Sequence, residues 1–318
     1  MRILVVGAGA TGGYFGGRLL EASRDVTFLV RPRRAVELAG SGLRIRSRFG
    51  DVTLPDPPTV LAGELREAFD VVLFSAKAYD LEAAMESFAP AVGAGTVIVP
   101  LLNGMGHLDT LDERFGGERV LGGVCIIAAT LNLQREIVHL NDQHGLTFGE
   151  RDGRLSDRVR ALARLMEGAR FGVRATTEIL LEMWEKWVFL ASLASSTCLM
   201  RAAVGDIVES PGGGDLLLGL LEECRSVAAG AGYPPREESL QRMRGVLTAA
   251  GSDFTASMLR DLEHHGPIEA DHVIGDLIQR AGKGGNACAR LRMAYTHLKA
   301  YEARRNRTPG RLHSLSAS

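Results

Sequence analysis

The chain has 318 residues, more than one ordinary hydrophobic core needs, so about two domains are expected. Its 37 Lys and Arg residues nearly cancel 38 Asp and Glu, leaving a formal net charge of -1. No bulk field is therefore available to recruit nucleic acid or an anionic membrane surface. Hydrophobic residues at 46% and charged residues at 24% are the proportions of a globular protein in water. Cys125, Cys198, Cys224 and Cys288 stand far apart with no C-x-x-C pair. That spacing argues against a zinc knuckle or a redox dithiol, so no metal site is expected and the thiols should be buried and reduced. The N-terminus enters a strand-like segment directly and lacks signal-peptide features. The longest apolar stretch, Trp187 to Met200, is interrupted by Ser and Thr and is too short to span a bilayer. A cytoplasmic location with no membrane partner is the expectation.

Along the chain, Arg2–Ala8, Asp25–Val30, Asp70–Ser75 and Thr96–Leu102 read as strands. Thr11–Ser23, Leu81–Phe88 and His107–Phe115 read as the helices between them. Apolar strands separated by helices predict a parallel sheet covered on both faces. Val120–Ala129, Glu136–Asn141 and Leu146–Glu150 then follow as strand on strand, a meander closing the domain. Beyond Glu150 helical periodicity dominates Asp157–Ala169, Leu180–Ala203, Asp215–Ala231, Glu237–Ala249, Thr255–His264, Ile268–Ala281 and Ala287–Arg305. Gly282 is placed to be a left-handed helix cap. The basic run Arg304-Arg305-Asn306-Arg307 and the Ser-rich tail are expected to fray.

Gly7-Ala8-Gly9-Ala10-Thr11-Gly12 fits G-x-G-x-x-G between the first strand and the first helix. Gly7 permits the tight turn, Gly9 lets a pyrophosphate approach the backbone, and Gly12 allows close helix–strand contact. The helix start offers free N–H groups and the positive end of its dipole to phosphate. At the end of the second strand an NAD enzyme usually carries an acid, about 20 residues on. This chain has Arg31 there, with Arg33 and Arg34 close behind. A guanidinium fork suits a 2′-phosphate, which favours NADP(H); Arg33 and Arg34 also read as solvated charges. Lys77 and Asn103 follow two further strands, where ligands of open α/β sheets sit, although Asn103-Gly104 alone reads as a turn.

In the second half Trp184-Glu185-Lys186 heads a long apolar helix on which Lys186, Leu190, Ala194 and Thr197 share one face. The Lys186 stem could lie along the surface with its ammonium in water. Alternatively it points into a desolvated cleft, where a lowered pKa suits proton donation. Ser257 and Glu269 each read as ordinary helix-start residues, a cap and a dipole-matching acid.

As a set these residues resemble the ketopantoate reductase family. The resemblance rests on Gly7/Gly9/Gly12, Arg31, Lys77, Asn103-Gly104-Met105-Gly106, Trp184/Lys186, Ser257-Met258/Asp261 and Glu269, in order and spacing across roughly residues 1 to 305. It implies an α/β Rossmann-type N-terminal domain at 1–176, an all-helical C-terminal domain of the 6-phosphogluconate dehydrogenase C-terminal kind at 177–308, and a tail at 309–318. It implies NADP(H) bound by Gly7, Ala8, Gly9, Ala10, Thr11, Gly12, Arg31, Lys77, Asn103, Ala128 (through its backbone) and Glu269. Lys186 would be the catalytic proton donor and would also bind substrate with Asn103 and Ser257, the last holding its carboxylate. The implied substrate is a small 2-oxo acid, ketopantoate, reduced to pantoate for pantothenate biosynthesis. A homodimer is the default assembly.

The family's substrate-binding Asn residues are replaced by Leu190, Ala194 and, further on, Val204. Losing hydrogen-bond partners relaxes discrimination for a hydroxylated substrate. A paralogous reductase of a more apolar 2-oxo acid or ketone is therefore the first alternative, and Arg201 could grip a carboxylate or be an ordinary helix-end charge. A non-catalytic NADPH sensor is the second, disfavoured by the retained Lys186 and Glu269.

Overall fold

The computed structural model describes residues 1–282 and 288–307. They form two compact units, one of Met1–Leu102 with Gly106–Met183, the other of Asn103–Met105 with the chain from Trp184 onward. The expected helix start at Ala287, the domain limit at 308 and the tail at 309–318 lie outside the described residues.

The first unit runs β1 (Ile3–Val6), α1 (Ala10–Glu21), β2 (Val26–Leu29), α2 (Pro32–Ser41), β3 (Leu43–Arg46), β4 (Val52–Leu54), β5 (Thr59–Val60) and β6 (Val71–Phe74), then α3 (Leu81–Phe88), β7 (Val97–Pro100), α4 (Gly106–Phe115), β8 (Gly122–Leu131), β9 (Ile137–Gly149), α5 (Asp157–Met166) and β10 (Gly172–Ala175). One sheet has the order β5-β2-β1-β6-β7, parallel throughout, with Ile3 opposite both Val26 and Val71. Every residue of β1, β6 and β7 is buried, which is why these strands read as continuous apolar runs. Connections diverge to the two sides of β1, so its carboxyl end is a topological switch point.

The second sheet corrects the expected meander. Its order is β10-β9-β3-β4, with β8 also on β9. Glu136–Asn141 and Leu146–Glu150 are not separate strands but parts of β9, which pairs antiparallel with β8 from Gly122↔Gly149 to Leu131↔Ile137. The polar stretch Asp142-Gln143-His144 suggests a break, and the pairing does shift there: it runs to Ile127↔His144 and resumes at Ala129↔His139, within the one strand Ile137–Gly149. Helix α1 fits between the sheets because it is glycine-lined. A Cβ on Gly16 would come within 2.5 Å of Phe28 in the first sheet; one on Gly13 or Gly17 would come within 2.6 Å of Ile137 or 2.7 Å of Leu43 in the second.

The second unit follows from α6 (Ile179–Met200), within which the unit boundary falls, through α7 (Val204–Glu209), α8 (Gly213–Gly230), α9 (Glu237–Leu247), α10 (Ser257–Glu263), a π-helical turn (Asp271–Gly275), α11 (Asp276–Arg280) and α12 (Ala289–Arg307). Three of the hydroxyls that interrupt α6, those of Ser192, Ser196 and Thr197, are satisfied by returning to their own helix, while buried Ser195 Oγ has no hydrogen-bond partner among the described residues. Ser192 donates to the Val188 carbonyl at 2.7 Å and Thr197 to that of Leu193 at 2.7 Å. Among the described residues no helix is long and apolar enough to cross a membrane. All four thiols are free and buried, and burial pushes those of Cys198 and Cys224 up to about 12. Gly282 adopts φ +75°, the cap conformation expected of it. The basic run is not frayed: Arg304–Arg307 is the last turn of α12, and Arg305 Nε donates to the His265 carbonyl at 3.0 Å.

Candidate active site

In the first unit the candidate residues gather at the carboxyl ends of β1, β2 and β6. Gly7 turns the chain at φ +93°, a left-handed conformation that a side chain would strain, and its N–H donates to the Leu29 carbonyl at 2.9 Å. Gly9 is the N-cap of α1 and no side chain caps that end, so the N–H groups around Ala10 and Thr11 are open to an anion. A Cβ on Gly9 would meet nothing within 4 Å, whereas one on Gly12 would overlap Ser75 Oγ and the Gly7 carbonyl oxygen. Ser75, which sequence reasoning missed, anchors this contact by donating to the Val6 carbonyl at 2.8 Å.

The two glycines should therefore fail differently. Gly12→Ala is expected to cost about 1–3 kcal/mol in a denaturation curve, as overpacking does. Gly9→Ala should leave the unfolding midpoint in place and weaken dinucleotide affinity, measured by titration, because the new methyl occupies only the space a pyrophosphate would use.

Among the arginines, Arg34 departs from its expectation. Arg31 is the N-cap of α2 and pairs with Asp80, Nη2 to Oδ1 3.0 Å. Arg34 is not a solvated charge: it is buried, and its Nε donates to the Ala8 carbonyl inside the glycine turn at 3.1 Å. Glu37 collects Arg33, Arg34 and Arg135 at 3.2, 3.1 and 2.9 Å. Lys77 is half-buried ahead of the short turn Ala78–Asp80. Ala128 lies at the irregularity between Ile127 and Ala129, where Asn141 Oδ1 accepts its N–H at 3.1 Å.

In the second unit Lys186 and Leu190 are half-buried, while Ala194 and Thr197 farther along the same face are buried. Val204 is fully buried at the start of α7, its N–H donating to the Phe254 carbonyl at 3.0 Å. Arg201 is exposed at the end of α6 with φ +55°. Ser257 is not the expected cap. The N-cap of α10 is Ala256, whose N–H points at Thr197 Oγ1 (3.4 Å), and Ser257 is the exposed first helical residue. Glu269 precedes the π-helical turn, and its carbonyl accepts the Val273 N–H at 2.9 Å. Within that turn the Val273 carbonyl accepts the indole N–H of buried Trp187 at 2.8 Å. A Cβ on Gly104 would lie 3.1 Å from the His272 carbonyl, so the Asn103 segment rests on the same turn. Thus the lysine helix, the Ser257 helix start, Glu269 and Asn103 are joined within one unit through Thr197, which the sequence placed on the lysine face, and through Trp187 and His272, to which it assigned no role.

Charges around the lysine helix are compensated. Burial alone would raise the Glu185 carboxyl, but Arg236 donates to it from its backbone N–H (2.9 Å), Nε (2.9 Å) and Nη2 (2.5 Å), and the result lies below the ordinary value. Burial likewise opposes ionisation of Asp271, and bonds from Lys299 and Tyr295 reverse it.

Residues 3–153 match the model of ketopantoate reductase PanE/ApbA, and residues 178–302 that of its C-terminal region. The chain is similar to the uncharacterized oxidoreductase YkpB of Bacillus subtilis, 38% identical over 95% of this chain and 99% of that protein. It is 30% identical to a 2-dehydropantoate 2-reductase of Archaeoglobus fulgidus over 91% of this chain and 93% of that one. The crystal structure of 2-dehydropantoate 2-reductase from Geobacter metallireducens aligns with TM-score 0.86 and 30% identity over 94% of this chain and 99% of that one. With a parallel α/β unit, a helical unit and both family regions matched in order, the chain belongs to the ketopantoate reductase family of oxidoreductases.

Proposed function

We propose that this chain reduces the carbonyl of a 2-oxo acid with NADPH, converting ketopantoate to pantoate with Lys186 as proton donor. The observation that carries the reading is the linkage inside the second unit. Lys186 sits one residue from Trp187, whose indole is tied to the turn carrying Glu269, on a helix that also contacts the Ser257 helix start through Thr197.

The open backbone at Gly9, the turn at Gly7 and the uncapped start of α1 fit a dinucleotide pyrophosphate. Arg31 would reach a 2′-phosphate, and Lys77, Asn103, the Ala128 backbone and Glu269 would border the rest of the cofactor. When bound, NADPH supplies the hydride. The chain's own work is on the oxygen: negative charge grows there as the carbonyl carbon is reduced, and the Lys186 ammonium stabilises it and then gives it a proton. The resulting neutral amine is reprotonated from solvent. Ser257 donates its hydroxyl to the substrate carboxylate, and Asn103 orients the carbonyl.

A second reading, a more apolar 2-oxo acid, is favoured by Leu190, Ala194 and Val204 in place of amide side chains. It is supported by the ring of Phe254, three residues before Ser257, lying against that of Phe189 on α6, centroids 6.2 Å apart. The test is NADPH oxidation against a panel of 2-oxo acids. Turnover of ketopantoate supports the first reading, turnover of apolar oxo acids alone supports the second, and tight NADPH binding with no turnover on any member overturns both in favour of a sensor. Arg31→Ala should weaken NADPH by about tenfold while leaving NADH within about twofold, since a charge-assisted contact to the 2′-phosphate contributes about 1.5 kcal/mol; fluorescence titration with both nucleotides checks it.

A further inference from the structure

The end of β2 carries no acid of its own, but β6, on the other side of β1, delivers one. Asp80 closes the short turn after β6, three residues beyond Lys77, and its Oδ1 lies 3.0 Å from Arg31 Nη2. Arg31 is the guanidinium proposed for the 2′-phosphate, and its side chain is 73% exposed while that of Asp80 is 34% exposed. The neighbouring arginines are committed elsewhere, Arg33 to Glu37 and Arg34 to Glu37 and the Ala8 carbonyl. The site offered to the adenosine ribose is therefore not a bare basic patch. It is an ion pair whose carboxylate matches the group an NAD enzyme uses for the ribose hydroxyls, and whose guanidinium matches the group an NADP enzyme uses for phosphate.

We propose that Asp80 is a specificity-determining residue that restrains the preference of this chain for NADPH over NADH. A 2′-phosphate arriving at Arg31 must displace the carboxylate or accept a like charge beside it. The two hydroxyls of an NADH ribose can instead donate to that carboxylate while Arg31 stays paired. The chain then uses both nucleotides with a modest ratio. The proposal rests on the cofactor reading above.

The experiment titrates NADPH and NADH into the purified full chain and into Asp80→Asn, Asp80→Ala and Asp80→Glu, reading nucleotide fluorescence rather than turnover. Removing the charge should raise the ratio of NADH to NADPH dissociation constants by about fivefold, the size of one exposed like-charge interaction. Asp80→Glu should stay near the starting ratio. Because local damage would weaken both nucleotides together, the ratio isolates the electrostatic role. In an Arg31→Ala background the Asp80→Asn effect on the ratio should shrink, as expected for coupled neighbours. A ratio unchanged or lowered in both neutral variants would overturn the assignment. A parent chain that binds neither nucleotide would overturn the cofactor reading itself, a separate failure.

Discussion

Lys186→Ala is expected to fold normally and to lose about 10²–10⁴ in kcat, the usual contribution of a positioned proton donor. Folding should survive because Lys186 is half-buried, ion-pairs with nothing in its own unit among the described residues, and occupies a helix interior that alanine suits. Substrate KM should move less than kcat, since the developing charge on oxygen exists in the transition state and not in the bound ketone. Lys186→Arg separates charge from proton transfer. It keeps the cation but holds its proton too firmly to give it up at neutral pH, so it should remain slow while retaining most of the substrate affinity. Steady-state rates of the two variants with NADPH and the best oxo acid are the measurement. An alanine variant turning over at the parent rate takes Lys186 out of the chemistry.

The second large effect concerns stability. Glu185 is only 6% exposed, and its charge is held by the side-chain and backbone N–H groups of Arg236. Arg236→Ala removes the cation and leaves one backbone bond, stranding a buried carboxylate. Breaking such a pair costs about 3 kcal/mol, at the low end of the usual range because Arg236 itself is half exposed. The sign of its pH dependence follows from the depressed carboxyl. A group whose pKa is lower folded than unfolded stabilises the fold above the unfolded value and loses that contribution as pH falls through the folded one. The gap between parent and Arg236→Ala in urea unfolding should therefore be full at neutral pH and narrow as pH drops below 4.5, the ordinary value for this carboxyl. A gap that widens on acidification would show that Arg236 acts through packing alone.

Much of the first unit was legible because burial on both faces leaves a plain mark: β1, β6 and β7 are apolar at every position. What was missed lacks that mark. Helix α2 begins with Pro32 at its first position, a usable start signal, but its charged surface hides any apolar stripe. Strand β10 has four residues, none of them fully buried. The single strand β9 includes exposed Asp142 and Gln143, where its register against β8 shifts between Ile127↔His144 and Ala129↔His139, so local polarity imitates a turn between two strands. At the candidate site, glycine positions were readable because each answers to a local backbone need. Asp80, Arg34 and Trp187 were not, because their importance comes from partners on other elements: Arg31, Ala8 and Val273. The π-helical turn is likewise invisible in the residues that form it, and its Val273 carbonyl is met by an indole 86 residues away in the chain.

The glycine face of α1 has a mechanical consequence. With a phenylalanine ring from one sheet on one flank and aliphatic branches from the other sheet on the opposite flank, the rod can neither slide nor roll without colliding. The loop at its tip is thereby held in its curved shape by the core itself. Organising that loop is a cost met during folding, so a bound phosphate group should find its cradle already set and leave little of its affinity behind in rearrangement.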